Sequence, residues 1–259
     1  MPIARSNHTP VFYTTDGDPA LPGLILSNSL GTDHTMWQAQ AKALSPYFHV
    51  IRYDARGHGQ SDCPPGPYRV AQLGGDVLAV LDALDIERAH FCGISMGGMT
   101  AQWMGLHASD RIDKLVIANS AAKIGSSEAW LARAAAVRAG GLDAIADGAG
   151  ARWFTPAFIA QQPELVTSLV AGLRAGNAEG YASCCEALAE ADYRDEIHVI
   201  PNATLIIAGH DDPVTTVADA TYLQQRIAGA RMVVLPASHI SNIEAGTAFT
   251  QTLVDFLHT

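Results

Sequence analysis

Basic residues are scarce and scattered. The 259 residues include only 16 Lys or Arg against 26 Asp or Glu, a formal net charge of -10, and no basic run occurs anywhere. A surface that neutralises successive phosphates needs such a run, so no nucleic-acid partner is expected. A local arginine can still attract a small anion to a net-negative protein. The four cysteines are Cys63, Cys92, Cys184 and Cys185, two of them adjacent and none at paired metal-ligand spacing. They are expected as free thiols in a reducing compartment. There is no H-E-x-x-H, no P-loop Lys-Ser/Thr and no G-x-G-x-x-G, so no metal site and no cofactor-binding residue is expected. No segment approaches a transmembrane span, and the opening MPIARSNHTPVFYTTDG has no apolar core of a leader. The expectation is a cytoplasmic protein with no membrane partner, and a homo-oligomer is compatible with it.

Hydrophobic residues make up 48% of the chain and charged residues 16%. That balance suits a sizeable core in one large domain, or in one domain carrying an insertion. Short apolar runs at 11–15, 23–28, 49–54, 89–94 and 114–120 read as strands. Segments at 35–44, 69–85 and 96–108 show helical spacing between them. This alternation predicts βαβ units and a mostly parallel sheet. From about 121 to 195 only helical patterns occur, broken at Gly140, Pro156, Gly176 and Gly180. Alternation resumes with a strand at 203–209, a helix near 217–228, a strand at 230–236 and a final helix over 244–259. The expected organisation is a core from 1–120 and 196–259, interrupted by a helical cap over 121–195.

Gly93-Ile94-Ser95-Met96-Gly97-Gly98 follows a strand and opens a helix, which is the context that G-x-S-x-G requires. The glycines make room for a turn tight enough to expose the Ser95 hydroxyl. Side chains at 93 and 97 would meet backbone, and Gly98 would let the helix approach the sheet. A serine hydroxyl needs a base to take its proton. Of ten histidines, His8 and His258 are near the ends of the chain, and His107 is far along the helix. His49, His90 and His198 precede or open strands, at the wrong edge of the sheet. His34, His58, His210 and His239 remain, and only His239 follows both Ser95 and a downstream acid, in the order Ser…Asp…His. The acid lies in Gly209-His210-Asp211-Asp212-Pro213, where the residues alone leave Asp211 and Asp212 both open. An oxyanion hole would take one N–H from Met96 and one from the loop 27–33, where Leu30 is the expected donor.

The stretches SNSLGTDHTMW, RYDARGHGQSD, GISMGG, IAGHDDPVT and ASHISNIE together resemble the α/β-hydrolase superfamily over nearly the whole chain. The chain is more narrowly similar to the 3-oxoadipate enol-lactonases of aromatic-compound catabolism, with WLARAAAVRAGG and ARWFTPAF as the discriminating cap stretches. The resemblance implies an α/β-hydrolase fold with a mostly parallel sheet and an inserted helical cap. It also implies hydrolysis of a carboxylate-bearing enol-lactone through a serine acyl-enzyme, without metal or organic cofactor. Residue by residue it implies Ser95 as nucleophile, His239 as base, Asp212 of G-x-x-D-P as acid, and Ser29-Leu30-Gly31 as the hole-forming loop. Thr216 stands where many relatives have proline, which is expected to alter loop stiffness rather than chemistry.

A substrate carboxylate needs a receptor, for which Arg133 and Arg138 in the cap are the candidates. Trp130 is the expected apolar wall, and Trp153 and Phe154 either line the pocket or fill the cap core. Asp54, Arg56 and His58 are expected to brace loops beside the pocket, with Asp54 and Arg56 pairing across the glycine-rich turn. The alternatives are another carboxylesterase, lactonase or carbon–carbon bond hydrolase on the same fold, or a non-catalytic small-molecule receptor.

Overall fold

The computed structural model describes residues 2–258; Met1 and Thr259, and with Thr259 the last residue of the expected final helix, lie outside the described residues. Eight strands form one sheet: β1 (Ile3–Ser6), β2 (Thr9–Asp16), β3 (Gly23–Ser27), β4 (His49–Tyr53), β5 (Ala89–Ile94), β6 (Ile112–Ala118), β7 (Ala203–Gly209) and β8 (Arg231–Leu235). Their spatial order is β1-β2-β4-β3-β5-β6-β7-β8. The pairs β1–β2 and β2–β4 are antiparallel, and every pairing from β4 to β8 is parallel. β3, β4 and β5 are buried at every position, which is why they are mostly apolar without a polar face, with His49 and Arg52 in β4 and His90 in β5 among the buried exceptions. β1 has no counterpart in the sequence reading. It is four residues long and joins β2 through Asn7 and His8, both at positive φ (45° and 71°). A two-residue hairpin demands that geometry, but only Asn7 hints at it.

Three helices cover the first half of the sheet: α1 (Gln38–Leu44), α2 (Val70–Ala83) and α3 (Met96–His107). Between β6 and β7 stand six helices with no strand among them: α4 (Ser127–Gly140), α5 (Asp143–Asp147), α6 (Ala149–Trp153), α7 (Pro156–Gln161), α8 (Pro163–Arg174) and α9 (Ala178–Glu190). The core then closes with α10 (Val217–Arg226), α11 (Ser241–Glu244) and α12 (Gly246–Leu257). The final helix expected over 244–259 begins at Gly246, and a separate short helix, α11, ahead of it has no counterpart in the sequence reading. Thr216 caps α10: its N–H and Oγ1 donate to Asp219 Oδ2 at 2.7 and 2.8 Å. All four cysteines are free thiols, Cys92, Cys184 and Cys185 buried and Cys63 partly so. Among the described residues no helix is long and apolar enough to cross a membrane.

The expected pairing of Asp54 with Arg56 is overturned. Arg56 forks onto Asp76 of α2 at 2.8 and 2.5 Å, with both side chains buried. Asp54 instead accepts from the His34 N–H at 2.7 Å, from His34 Nδ1 at 2.9 Å and from the Gln60 N–H at 2.8 Å. Residues two apart on an extended stretch leave on the same face, but β4 ends at Tyr53, so Asp54 and Arg56 lie beyond the extended stretch and Arg56 reaches α2. Breaking a buried pair leaves one charge uncompensated. Asp76→Ala is therefore expected to cost about 3–5 kcal/mol in urea unfolding, and a loss under about 1 kcal/mol would contradict this.

Candidate active site

In an open parallel sheet, ligands sit beyond the carboxyl ends of strands where the order reverses. Here that point lies between β3 and β5, since β3 is flanked by β4 on one side and β5 on the other. The loops leaving these two strands carry Leu30 and Ser95. Ser95 has φ 58° and ψ -113°, a conformation that strains any residue with a Cβ. The surrounding glycines make the turn feasible. A Cβ on Gly93 would overlap the carbonyl oxygen of Gly97, and one on Gly97 would overlap that of Ser27. A Cβ on Gly98 would run into the Ser120 side chain beyond β6. The turn is held by the Ser95 N–H donating to Ala118 O at 3.0 Å and by Ser120 Oγ donating to Ser95 O at 3.0 Å.

Ser95 Oγ lies 2.9 Å from His239 Nε2, and His239 Nδ1 lies 2.8 Å from Asp212 Oδ2. All three residues are buried. Asp211 is exposed, and among the described residues its carboxylate meets only His210, at 3.0 Å. Asp212 is saturated with donors. Its Oδ1 accepts the Val214 and Thr215 N–H groups at 2.8 and 3.0 Å. Its Oδ2 also accepts Thr215 Oγ1 at 2.8 Å and Asn119 Nδ2 at 3.0 Å. Burial alone would raise this carboxyl, but the hydrogen bonds from His239, Asn119 and the Thr215 N–H outweigh it and hold it below the ordinary carboxylate value. Asn119 also donates to Ser238 O at 3.1 Å, tying the acid to the histidine loop. Neither Asn119 nor Thr215 emerged from the sequence. The one available signal was that Asn119 stands near the carboxyl end of the apolar run 114–120, next to the strand that leads to Ser95.

The Met96 N–H stands at the first position of α3, ahead of any intrahelical acceptor. The next N–H, of Gly97, donates across to Asn28 O at 3.0 Å. This bond stitches the β3 loop to the start of α3, so Leu30 and Ser95 line the same cavity. The Asn28 side chain anchors the loop from behind. It donates to Tyr53 O at 2.9 Å and accepts from Trp37 Nε1 at 3.0 Å.

That cavity measures about 290 Å³ and contains Ser95, His239, Leu30, Trp130, Trp153 and Tyr181. Its charged lining residues are Arg133 and Arg152, with no carboxylate among them. Arg133 stacks over Trp130 at 4.7 Å, as residues three apart on one helix can. Arg138 is not part of the cavity. Five residues on from Arg133, it faces about 140° away around α4. There it forks onto Glu179 at 2.8–2.9 Å and Glu186 at 2.6–2.8 Å on α9. It braces the cap, with four of its five N–H groups on the two glutamates. Arg152 went unnoticed in the sequence, although it stands inside the discriminating stretch ARWFTPAF. Its Nη2 donates to Ile145 O at 2.6 Å, and no carboxylate partner of it is found among the described residues. Burial, reinforced by nearby Arg133, pulls this guanidinium below its ordinary value. Trp153 lines the cavity while Phe154 is core, stacked on Phe158 at 4.9 Å.

The cap stretch is clamped to the histidine loop. The Ile240 N–H donates to Trp153 O at 3.0 Å. Glu244 accepts from the Ser238 N–H at 2.8 Å, the Thr155 N–H at 3.2 Å and the Thr155 hydroxyl. A second cavity of about 590 Å³ lies across Leu173 and Tyr181, lined by His58, Thr32 and Asp33 among others. It lacks Ser95 and His239, and the carboxylate of Asp33 on its wall disfavours an anion.

Residues 22–246 match the family described as the alpha/beta hydrolase fold. The chain is 53% identical to 3-oxoadipate enol-lactonase 2 of Acinetobacter baylyi, over 93% of this chain and 90% of that one. It is 46% identical to 3-oxoadipate enol-lactonase 1 of the same organism, over 93% and 91%. The crystal structure of the enol-lactonase from Burkholderia xenovorans superposes with a TM-score of 0.98 at 47% identity, covering 100% of both chains. With its sheet order, helical cap and serine turn, the chain belongs to the α/β-hydrolase fold family and, within it, to the 3-oxoadipate enol-lactonases.

Proposed function

We propose that this protein hydrolyses the enol-lactone of 3-oxoadipate to 3-oxoadipate through an acyl-enzyme on Ser95. The observation that carries the proposal is the cavity lining: the hydroxyl–imidazole pair shares a small cavity with two arginines and no acid, in a chain of net charge -10. A neutral ester has no use for that lining; a carboxylate-bearing lactone does.

His239 Nε2 takes the Ser95 proton as Oγ attacks the lactone carbonyl carbon. Asp212 keeps the other proton on Nδ1 and stabilises the imidazolium. The Leu30 and Met96 N–H groups receive the oxyanion. Collapse breaks the ring C–O bond. The leaving enolate delocalises its charge, takes the proton from His239 and tautomerises to the ketone while still attached through the acyl carbon. Water, activated by His239, then attacks the acyl carbon, and Ser95 is released with the second carboxylate. Arg133 and Arg152 hold the side-chain carboxylate throughout, with Trp130 and Trp153 as apolar walls.

The test compares substrates and variants. Wild-type protein is expected to turn over the enol-lactone faster than neutral aryl esters or vinylogous diketo acids. A charge-assisted hydrogen bond contributes about 1.5–3 kcal/mol. Arg133→Ala and Arg152→Ala are thus each expected to lower kcat/KM for the anionic lactone by roughly 10–100-fold, with neutral esters changed by no more than about threefold. Equal losses on both substrate classes would remove the arginines as carboxylate receptors, and a preference for neutral esters would remove the enol-lactone.

A further inference from the structure

We propose that His58 and Thr32 are positioning residues that pin the two peptide units flanking Leu30 and so aim its N–H into the oxyanion hole. The inference rests on the Ser95 acyl-enzyme reading and extends it to residues that touch no substrate. A trans peptide unit is planar, with C=O and N–H pointing in opposite directions. The unit before Leu30 pairs the Ser29 carbonyl with the Leu30 N–H. Ser29 O accepts the Thr32 N–H at 3.2 Å and Thr32 Oγ1 at 2.8 Å. Holding that carbonyl toward Thr32 turns the Leu30 N–H the other way. The unit after Leu30 carries the Gly31 N–H, which donates to His58 Nε2 at 3.0 Å. With both units held, the dihedral angles at Leu30 have nowhere to relax.

His58 suits this task. An imidazole accepts through one ring nitrogen only when neutral and protonated on the other. Nδ1 lies 3.2 Å from Arg56 O, which can only accept, so Nδ1 carries the proton and Nε2 is free to receive Gly31. His58 is buried, and burial pulls it below the ordinary imidazole value, which keeps it neutral. Its own loop is rigid. Gly57 and Gly59 sit at positive φ (73° and 51°), a Cβ on Gly59 would overlap the Asp54 carboxylate, and Asp54 Oδ2 holds the Gln60 N–H at 2.8 Å. This explains the RYDARGHGQSD stretch, whose chemistry the Ser95–His239–Asp212 chain leaves unused. Because a preorganised donor acts on charge that exists only in the transition state, disturbing it should lower kcat and spare KM.

The experiment uses the full chain with His58→Leu, His58→Gln and Thr32→Val. Turnover of the enol-lactone is measured alongside the rate at which a neutral fluorophosphonate labels Ser95, with thermal midpoints as a control on folding. Removing a donor from an oxyanion hole costs about 10²–10³ in kcat, and mis-aiming one costs less. His58→Leu is expected to lose roughly 10–100-fold in kcat with KM within about twofold, and to slow labelling in parallel. The glutamine amide oxygen in His58→Gln can accept the Gly31 N–H, so that variant should stay within about threefold of wild type. Thr32→Val, which keeps the Thr32 N–H, should fall between them. If His58→Leu does not fold, His58→Asn replaces it, since its shorter amide reaches toward Arg56 O but not Gly31. Wild-type kcat in the variant that cannot accept from Gly31 would overturn the proposal. So would equal impairment of His58→Gln, or slowed turnover with unchanged labelling. Labelling that survives Ser95→Ala would instead sink the acyl-enzyme reading itself.

Discussion

Ser95→Ala is expected to lower enol-lactone turnover by roughly 10⁶-fold, the scale on which removing a serine nucleophile acts in a serine hydrolase. The variant should fold. Alanine keeps the Cβ that the φ of 58° already tolerates, and the backbone bonds of the turn to Ala118 O and from Ser120 do not involve the hydroxyl. Only the hydrogen bond to His239 Nε2 at 2.9 Å is lost. Such a bond contributes about 1 kcal/mol, so the thermal midpoint should move by no more than roughly 2–4 °C. What remains after the substitution is the environment built around the oxygen: the N–H groups of Leu30 and Met96, and the arginine-lined cavity. Residual turnover of about 10³–10⁴ over the uncatalysed reaction is therefore expected. Substrate decay measured with excess protein decides the matter, and a variant retaining about a tenth of wild-type kcat would rule out the covalent route.

The second large effect is expected at Asp212, and here the hydrogen-bond geometry predicts the mechanism of failure. In Asp212→Asn one oxygen becomes an NH₂ group, and the loop dictates which. Oδ1 receives the Val214 and Thr215 N–H groups, which are backbone donors and cannot turn away. The amide oxygen must take that position. The NH₂ then occupies the place of Oδ2 and points its hydrogens at His239 Nδ1, 2.8 Å away. Nδ1 has to become the acceptor, which moves the ring proton to Nε2. An Nε2–H cannot take a proton from Ser95. The fall in kcat is expected to be about 10⁴-fold, as a tautomer switch produces, and the new NH₂ also faces the buried Asn119 Nδ2 donor, which should cost a further ~1–3 kcal/mol of stability. Asp211→Asn provides the contrast. That carboxylate is exposed and, among the described residues, contacts only His210, so turnover should stay within about twofold, since exposed pairs contribute under about 1 kcal/mol. Comparable losses at 211 and 212 would sink the assignment of the acid.

Much of this was readable along the chain, and the parts that were not share a cause. The alternation of apolar runs with helical spacing marked seven of the eight strands, because strands buried on both faces are predominantly apolar. β1 escaped because four residues, half of them exposed, carry too short a pattern to register. The break in alternation after residue 120 marked where helices take over, but not which side of each helix would face the cavity. Arg133 and Arg138 look alike in the sequence. The glutamates that claim Arg138 stand on α9, 41 and 48 residues away. Likewise, Arg56 looked placed to meet Asp54, and only the packing of α2 revealed Asp76 as its partner, 20 residues on.

What the sequence determined by itself was everything that short-range sterics and periodicity dictate: the parallel core, the tight turn at Ser95 and the chain order that singled out His239. The family resemblance already pointed to Asp212, which the residues alone left level with Asp211; the contacts of Asp212 with His239 and Asn119, the place of Arg152 on the cavity wall and that of Arg138 against α9 come only from tertiary structure. Those outcomes depend on strand register and on how the cap seats against the core. Contacts such as Ser95 to His239 span 144 residues, and over such separations neither local spacing nor residue type specifies which side chains meet. The folded sheet decides that by bringing the ends of β5, β6, β7 and β8 to one edge.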